Sequence, residues 1–498
     1  MDSDDNAPFT RRFLTACEQY PERPALIAGS RIYSYQELLA CVKSVMHLVG
    51  ETCQPTMRFG VVDQNDCHTY ATFIALNLLG KTYVPINPRY PERRIAVILE
   101  EAQIDKILSS VDYPCPGCQV LQTGNVSEAD DRPIVFPGVV SPEPAYILFT
   151  SGSTGKPKGV PIFNRQLNAF FAYFLDKQNY DFTPDDRFLQ VYETSFDVSV
   201  FSAFSPLFVG ASMYLLPRMG FISLEIPQLM ALHQITVVSM VPSILHHLQP
   251  YFNQLKFEKL RYSFFSGDKL YHEIVEGWTI TCPGAKIYNC YGPTEATIVC
   301  TDYLWRQPQS KIDSLHGVVP IGTLFPDMQY LLLDEDENEV SSGQAGEFCI
   351  TGPQVIAGYL NHAGKEKFFT RLLNGKQMTF YRTGDLVLTN EQGTLLYLGR
   401  TDQQLKISGY RVEPGEIEFA LSELNGHKLC AVVPVSQTGG MISLVAFMEG
   451  AGDEQAMLAE LRRQLPPQCI PKQLVLLEKM PLNMNGKIDR KELLNLVP

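Results

Sequence analysis

Apolar residues along this chain fall into two alternating kinds of run. Between residues 58 and 110 the short runs RFGVV, TYVPI and DKILSS are separated by the longer HTYATFIALNLLG and ERRIAVILEEA. The short runs have the length and bounded apolar character of buried strands, whereas the long ones repeat apolar residues at helical spacing. The rhythm continues to about residue 300, with AYILF, ITVVSMV, RYSFF and AKIYN as further strands. Helices interposed between strands make the strands parallel, so the pattern predicts an α/β fold: a large N-terminal domain of stacked, parallel-rich sheets with helices. An uncharged stretch from Val198 to Pro217 approaches the length of a bilayer-spanning helix. Four serines, Gly210 and an internal Pro206 break it into two pieces, which read as a buried helix followed by a buried strand.

Near residue 400 the pattern changes. After the polar GRTDQQLK come a helix (EIEFALSEL), two strands (KLCAVVPV, MISLVAFME), a helix (EQAMLAELRRQL) and a strand (QLVLLE). Such a set can close its own core, at a size that folds alone. The expected organisation is an N-terminal core domain over residues 1–400 and a small α+β domain over residues 401–498. The junction is expected between Gly399 and Lys406, a polar, glycine-flanked segment.

Composition narrows the classes of function. With 498 residues, 45% of them hydrophobic, the chain can bury more than one core. Its 41 Lys and Arg against 54 Asp and Glu give a net charge of −13, which offers a phosphate backbone no attraction and argues against nucleic-acid binding. The opening MDSDDNAPFTRRF is acidic and lacks the apolar core of a signal peptide, so a cytoplasmic location with no membrane insertion is expected. Twelve cysteines are too sparse for a disulfide scaffold. The pair in PCPGC (Cys115 and Cys118) has redox or zinc-like spacing, but no second pair completes a metal site, and Pro116-Gly117 reads as a turn.

Several loops that follow predicted strands carry chemistry. In YILFTSGSTGKPKGV (residues 146–160) a strand runs into Thr150, Ser151, Gly152, Ser153, Thr154 and Gly155, with Lys156 and Lys158 close behind. Glycines let backbone N–H groups turn toward an anion, hydroxyls add donors and a lysine adds charge, so the loop suits phosphate. It is not a Walker A loop, because Pro157 follows Gly155-Lys156 where that motif needs Ser or Thr. In NCYGPTEAT (residues 289–297) Glu295 is the only acid, and beside a polyphosphate its natural role is to hold Mg²⁺. Tyr291 could stack on a base or cover a ring. YRTGD (381–385) and YLGR (397–400) supply an Asp and an Arg on separate loops, which suits a ribose diol, and NGKIDR supplies Lys487 in a Gly-flanked loop.

In this order the strings resemble the adenylate-forming superfamily, and most closely its amino-acid-activating branch: adenylation domains of nonribosomal peptide synthetases and the related D-alanine–carrier protein ligases. The resemblance runs from YSYQEL (33–38) and LGKTYVPINPRYP (79–91) through TSGSTGKPKG, FDVSVFSAF (196–204), NCYGPTEAT, GEFCITG (346–352), YRTGDL and GRTDQQLKISGYRVEPGEIE to NGKIDRKEL. Departures are small: Ser266-Gly267-Asp268 stands where relatives often carry Gly-Gly-Glu, and Gln468-Cys469 where Tyr-Met is common. The resemblance implies two steps. A carboxylate attacks the α-phosphate of MgATP to give an acyl adenylate and pyrophosphate, and a thiol then displaces AMP.

It also implies roles for individual residues. Thr150, Ser151 and the loop through Gly152, Ser153, Thr154, Gly155 and Lys158 would embrace the β- and γ-phosphates. Asn289, Tyr291, Gly292, Pro293 and Thr294 would hold adenine and α-phosphate, and Glu295 would bind Mg²⁺. Asp385 and Arg400, with Tyr397 nearby, would grip the ribose, and Lys487 would bridge the substrate carboxylate and the phosphate as the catalytic cation. Asp402 corresponds to the pivot about which the C-terminal domain swings between the two steps, bringing the Lys406 to Arg411 side to the site for the second. Asp197 sits where amino-acid-activating relatives pair a carboxylate with the substrate ammonium, with helix capping as the ordinary alternative.

Around Asp197 the resemblance places Val198, Phe201, Ser239, Phe264, Ser266, Cys290, Ile298 and Val299. That lining suits a small to medium, mainly apolar side chain: alanine of either hand, proline or a compact β-amino acid. The chain ends eleven residues after Lys487 with no carrier domain, so the expected acceptor is the phosphopantetheine thiol of a separate carrier protein. Two alternatives are an acyl- or aryl-CoA ligase, in which the position of Asp197 need not be acidic, and a catalytically inactive binding homologue, in which Lys487, Glu295 or Asp385 would be lost.

Overall fold

The architecture is built on sheets whose strands emerge where short apolar runs meet a Gly, Ser, Thr or Pro break. The structure is a computed structural model that describes residues 7–53, 56–134, 141–152, 156–176, 179–217, 222–373, 375–424, 426, 429–436, 442–450, 452–482 and 488–497. A nine-stranded sheet runs in the order Thr323–Leu324, Thr301–Leu304, Lys286–Tyr291, Tyr262–Phe265, Val237–Met240, Arg187–Gln190, Ser212–Leu215, Pro24–Ala28, Arg31–Ser34. The six strands from Lys286–Tyr291 to Pro24–Ala28 are mutually parallel, and antiparallel strands flank them on both sides. As a result the carboxyl ends of Arg187–Gln190, Val237–Met240, Tyr262–Phe265 and Lys286–Tyr291 lie side by side, the position at which open α/β sheets bind ligands.

A six-stranded sheet carries Arg58–Val62, Thr82–Ile86, Lys106–Ser109 and Tyr146–Thr150 among its strands. A five-stranded antiparallel sheet carries Lys376–Thr389 between Gly346–Thr351 and Phe368–Leu373, with Leu395–Arg400 also paired to it. The fold class read from the sequence is therefore the one observed.

The stretch from Val198 to Pro217 is the helix Val198–Val209 followed by the strand Ser212–Leu215. Its break differs from the expectation. Pro206 lies inside the helix, which ends at Gly210 in the left-handed conformation (φ +79°). Burial of Phe201, Phe204 and Leu207 on this helix outweighs the cost of about 3 kcal/mol that an interior proline imposes. Pro116-Gly117 is a turn in which the Cys118 N–H donates to the Cys115 carbonyl at 3.2 Å, and all twelve cysteines are free thiols.

Contacts divide the chain into two compact units. The first comprises residues 1–88, 101–148 and 159–401, and the second residues 89–100, 149–158 and 402–498. Within the second, a sheet of Cys430–Ser436, Ile442–Glu449 and Gln473–Leu477 packs with the helices Pro414–Leu424 and Glu454–Gln464 around Ile417, Leu421, Val432, Leu444, Leu458 and Leu461. The same unit buries an ion pair between Arg94 and Glu416, whose side chains are 9% and 2% exposed. Among the described residues no helix is long and apolar enough to cross a membrane.

Candidate active site

Strand ends of the nine-stranded sheet assemble one group of side chains in the first unit. Ser239 lies in the strand Val237–Met240 opposite Phe264 in the next strand, and Phe264 in turn lies opposite Tyr288. Side chains alternate along a strand, so Ser239, Phe264, Ser266 and Cys290 share a face. Phe201, one turn into the helix Val198–Val209, meets Phe264 edge to face at 5.3 Å. Asp197, Phe201, Ser239, Phe264, Ser266, Cys290, Ile298 and Val299 are all buried, and Val198 is half-buried.

Asp197 occupies the position before the helix, but its side chain makes no capping hydrogen bond. The group is linked through a residue absent from the sequence-based set. Tyr192, just beyond the strand Arg187–Gln190, has its hydroxyl pushed above its ordinary range by burial, and the hydroxyls of Ser239 and Ser266 and the acidic groups of Cys290 and Asp197 all act on it. Burial holds the Cys290 thiol far above its ordinary range, with Asp302 adding to the effect, so it stays protonated. Asp302 accepts from the hydroxyls of Tyr173 (2.8 Å) and Tyr180.

A second group forms around Asp385. The expectation of an Asp and an Arg on separate loops is corrected: Asp385 and Arg400 are cross-strand partners on Lys376–Thr389 and Leu395–Arg400. The register of this antiparallel pair sets them opposite one another, so they meet directly. Arg400 Nη1 donates to Asp385 Oδ1 at 2.5 Å, and Nη2 donates to the Thr383 carbonyl at 3.0 Å. The Tyr291 hydroxyl donates to Asp385 Oδ2 at 2.5 Å, and burial together with that carboxylate raises its proton affinity well above normal. Asn289 directs its amide N–H groups to the carbonyls of Val319 (3.1 Å) and Pro320 (2.9 Å). Gly292, Pro293 and Thr294 are half-buried. Tyr397 is also half-buried, with Lys269 Nζ 5.6 Å above its ring.

Glu295 lies in the single turn Thr294–Ala296 and is fully buried, with Oε1 accepting from the Tyr359 hydroxyl at 2.5 Å. The backbone that follows is strained, with Thr297 (φ +58°) and the β-branched Ile298 (φ +74°) both left-handed. Gln354 holds it there. Its side-chain N–H groups donate to the carbonyls of Ala296, Thr297 and Val299 at 2.9 to 3.3 Å, while its backbone carbonyl accepts from the Thr297 hydroxyl at 2.6 Å. A carboxylate held by a phenol offers hard oxygen chemistry, and no group of three or more His, Cys, Asp or Glu capable of holding a metal occurs among the described residues. That donor set fits Mg²⁺, which takes one or two carboxylates and completes its shell with phosphate and water.

The second unit holds the Thr150 loop. Ser151 Oγ donates to the Arg411 carbonyl at 2.9 Å, and Thr150 Oγ1 is sealed from solvent without a hydrogen-bond partner among the described residues. A Cβ on Gly152 would lie 1.9 Å from the Lys156 carbonyl oxygen, so the position calls for glycine. Lys158 is half-buried. Asp402 is exposed, and its carboxylate accepts from the Gln404 N–H at 3.2 Å. Ser153, Thr154, Gly155 and Lys487 lie outside the described residues.

Comparison with known proteins places these groups in context. The family described as AMP-binding enzyme matches residues 13–360. The chain is 30% identical to the D-alanine–D-alanyl carrier protein ligase of Lacticaseibacillus casei (strain BL23), with 96% of each chain covered. It is 31% identical to bacitracin synthase 3 of Bacillus licheniformis, with 98% of this chain covered but only 8% of that protein. Among solved structures, the Vibrio cholerae adenylation domain AlmE, in complex with glycyl-adenosine-5'-phosphate, superposes with a TM-score of 0.85 at 26% identity, with 99% of this chain and 98% of that one covered. Holo-PA1221, a nonribosomal peptide synthetase protein with adenylation and carrier domains, also gives a TM-score of 0.85, at 26% identity, with 98% and 84% covered. By a family match over most of its length and a relative aligned almost end to end, this chain belongs to the AMP-binding enzyme family.

Proposed function

We propose that this protein is an AMP-forming ligase that activates an amino acid as its aminoacyl adenylate and passes the aminoacyl group to the phosphopantetheine thiol of a carrier protein. In the first step a carboxylate oxygen of the amino acid attacks the α-phosphorus of ATP and pyrophosphate leaves. In the second, the thiol sulfur attacks the acyl carbon and AMP leaves. The observation that carries the amino-acid reading is Asp197, a buried carboxylate close enough to the hydroxyls of Tyr192 and Tyr146 to act on them, which complements an ammonium group better than an apolar acid. A ligase acting on acyl or aryl acids and free coenzyme A has no use for that charge.

The remaining residues fit the same chemistry. Asp385, Arg400 and Tyr291 form a charged cradle suited to a ribose diol, and the Thr150 to Lys158 loop is suited to the β- and γ-phosphates. Glu295, oriented by Tyr359, is suited to Mg²⁺, which when bound would neutralise phosphate charge. Lys487 is proposed as the cation that neutralises the transition state at the α-phosphorus, and Asp402 as the pivot between the two steps. ATP-dependent chemistry and twelve free thiols suit a cytoplasmic setting.

The test is ATP–pyrophosphate exchange by the purified protein across L-, D- and β-amino acids, with benzoate and short fatty acids as controls. Exchange that depends on an amino acid and is lost in Asp197→Ala supports the reading. Exchange only with acids that lack an amino group would move the protein to the coenzyme A ligases.

A further inference from the structure

The turn between Cys115 and Cys118 takes no part in the chemistry above. Pro116 presets the first central position of that turn, and Gly117 takes the second with φ at +86°, the conformation a type II turn needs there. A Cβ on Gly117 would meet nothing within 4 Å, so this glycine answers to the backbone alone. The Cys118 N–H closes the turn on the Cys115 carbonyl at 3.2 Å. A closed turn holds its first and fourth Cα atoms within about 7 Å, the range of Cα separations that disulfides span.

The turn is anchored on its far side. Cys118 directly precedes the strand Gln119–Gln122, an edge of the six-stranded sheet, and the Gln119 N–H donates to the Asp105 carbonyl at 2.8 Å. The Cys118 thiol donates to the Ile104 carbonyl at 3.8 Å and also shares a hydrogen bond with the Cys115 thiol. Burial, and then Cys115 as a charge and as a hydrogen-bond partner, push the Cys118 thiol up to about 11, so Cys118 keeps its proton when Cys115 ionises. Both cysteines are half-buried, and Pro116 and Gly117 between them are exposed. A second pair in contact, Cys41 and Cys67, is sealed by comparison, with neither residue more than 1% exposed.

We infer that Cys115 and Cys118 form a reversible dithiol–disulfide site, oxidised by a low-molecular-weight disulfide such as glutathione disulfide. The Cys115 thiolate attacks one sulfur of the oxidant, a mixed disulfide forms on Cys115, and one thiolate leaves. Cys118 then gives up its proton and attacks the Cys115 sulfur, forming the Cys115–Cys118 bond and expelling the second thiolate. The protein loses two electrons and two protons, and the oxidant becomes two thiols. Disulfides of this kind in reducing compartments are mostly transient and redox-sensing. The turn stands apart from the residues proposed for adenylation, so the inference does not rest on that reading.

The test is exposure of the full chain to glutathione disulfide, followed by alkylation of the remaining thiols in denaturant and peptide mass spectrometry. The expected product is a Cys115–Cys118 disulfide that dithiothreitol reverses, with Cys41 and Cys67 still alkylated. Cys118→Ser removes the resolving thiol and should carry at least about tenfold more glutathione on Cys115 than the parent does. Cys115→Ser should carry about tenfold less on Cys118 than Cys118→Ser carries on Cys115. Cys115 and Cys118 that both remain alkylated overturn the inference, as does oxidation of Cys41 and Cys67 in their place. A glutathione adduct that persists in the parent, or equal adducts in the two variants, also overturns it.

Discussion

Asp385 engages both of its oxygens within the protein, one with Arg400 and one with Tyr291, each at 2.5 Å. The two partners differ in what their loss leaves behind. Tyr291→Phe removes one hydrogen bond to a charged group, a change of about tenfold in the KM for ATP. Arg400→Ala leaves a carboxylate that is 3% exposed without its countercharge, and should raise that KM by about 10²-fold or more. Steady-state pyrophosphate exchange at varied ATP measures both, and the opposite ranking would remove Asp385 from the nucleotide site. Residues of this kind were legible in the sequence where a local string carries the chemistry, as hydroxyls and glycines do after the strand Tyr146–Thr150 or as Asp197 does at the head of an apolar run. Tyr192, Gln354 and Tyr359 were not. Each acts through neighbours far away in the chain: Gln354 on the backbone of Ala296 to Val299, Tyr359 on Glu295, Tyr192 beside Ser239 and Ser266. No periodicity or spacing marks such a position.

At the scale of elements, the strands and helices around the site were the most legible part, because interior parallel strands are unbroken apolar runs ending in a turn. The edges were not. The strand Thr323–Leu324 is two residues long, and the helix Asn164–Phe171 continues as the wider turn Ala172–Asp176, which carries Tyr173 to Asp302 and stacks Phe174 on Tyr180. Tertiary packing decides such irregular turns, which recur at functional sites. The edge strand imposes a steric condition of its own. A Cβ on Gly322, where φ is +88°, would lie 1.7 Å from the carbonyl oxygen of Asp302 in the paired strand Thr301–Leu304. Backbone has nowhere to yield, so Gly322→Ala should cost about 3 kcal/mol or more through left-handed strain and overlap together. Thermal unfolding measures the loss. Because the displaced strand carries Asp302 opposite Cys290, discrimination among amino acids should degrade in the surviving folded protein, and an unchanged melting point would refute the close approach.

At the scale of the molecule, the last of the divisions between compact units along the chain falls between Thr401 and Asp402, and the proposed pivot predicts that the two half-reactions can be separated by substitution. Lys487→Ala should lower adenylate formation by about 10²- to 10³-fold with ATP binding retained. Asp402→Pro, which fixes φ at the pivot, should spare adenylation and stall transfer to the carrier thiol. Single-turnover assays of each step with radiolabelled amino acid distinguish the two, and equal loss of both steps in Asp402→Pro would refute the pivot. The second unit depends on a charge pair as well as on its apolar core. Glu416, nine-tenths or more buried, is held above the ordinary carboxylate range by burial, and Arg94 offsets only part of that rise. The folded unit therefore binds this proton more tightly than the unfolded chain does, so the stability contributed by Glu416 falls as pH rises from about 4.3 through its raised range. Arg94→Met keeps the apolar stem but removes the countercharge, which raises the Glu416 proton affinity further and steepens the fall. The variant should lose about 3 to 5 kcal/mol at pH 8. At pH 5 the gap from the parent should narrow, because a protonated Glu416 needs no cation, and pairing the change with Glu416→Gln should restore most of the loss at the higher pH. Thermal unfolding at both pH values, with hydrogen exchange of the helix Glu92–Ala102, reads the effect, and a deficit that stays constant with pH would assign Arg94 a packing role in place of an electrostatic one.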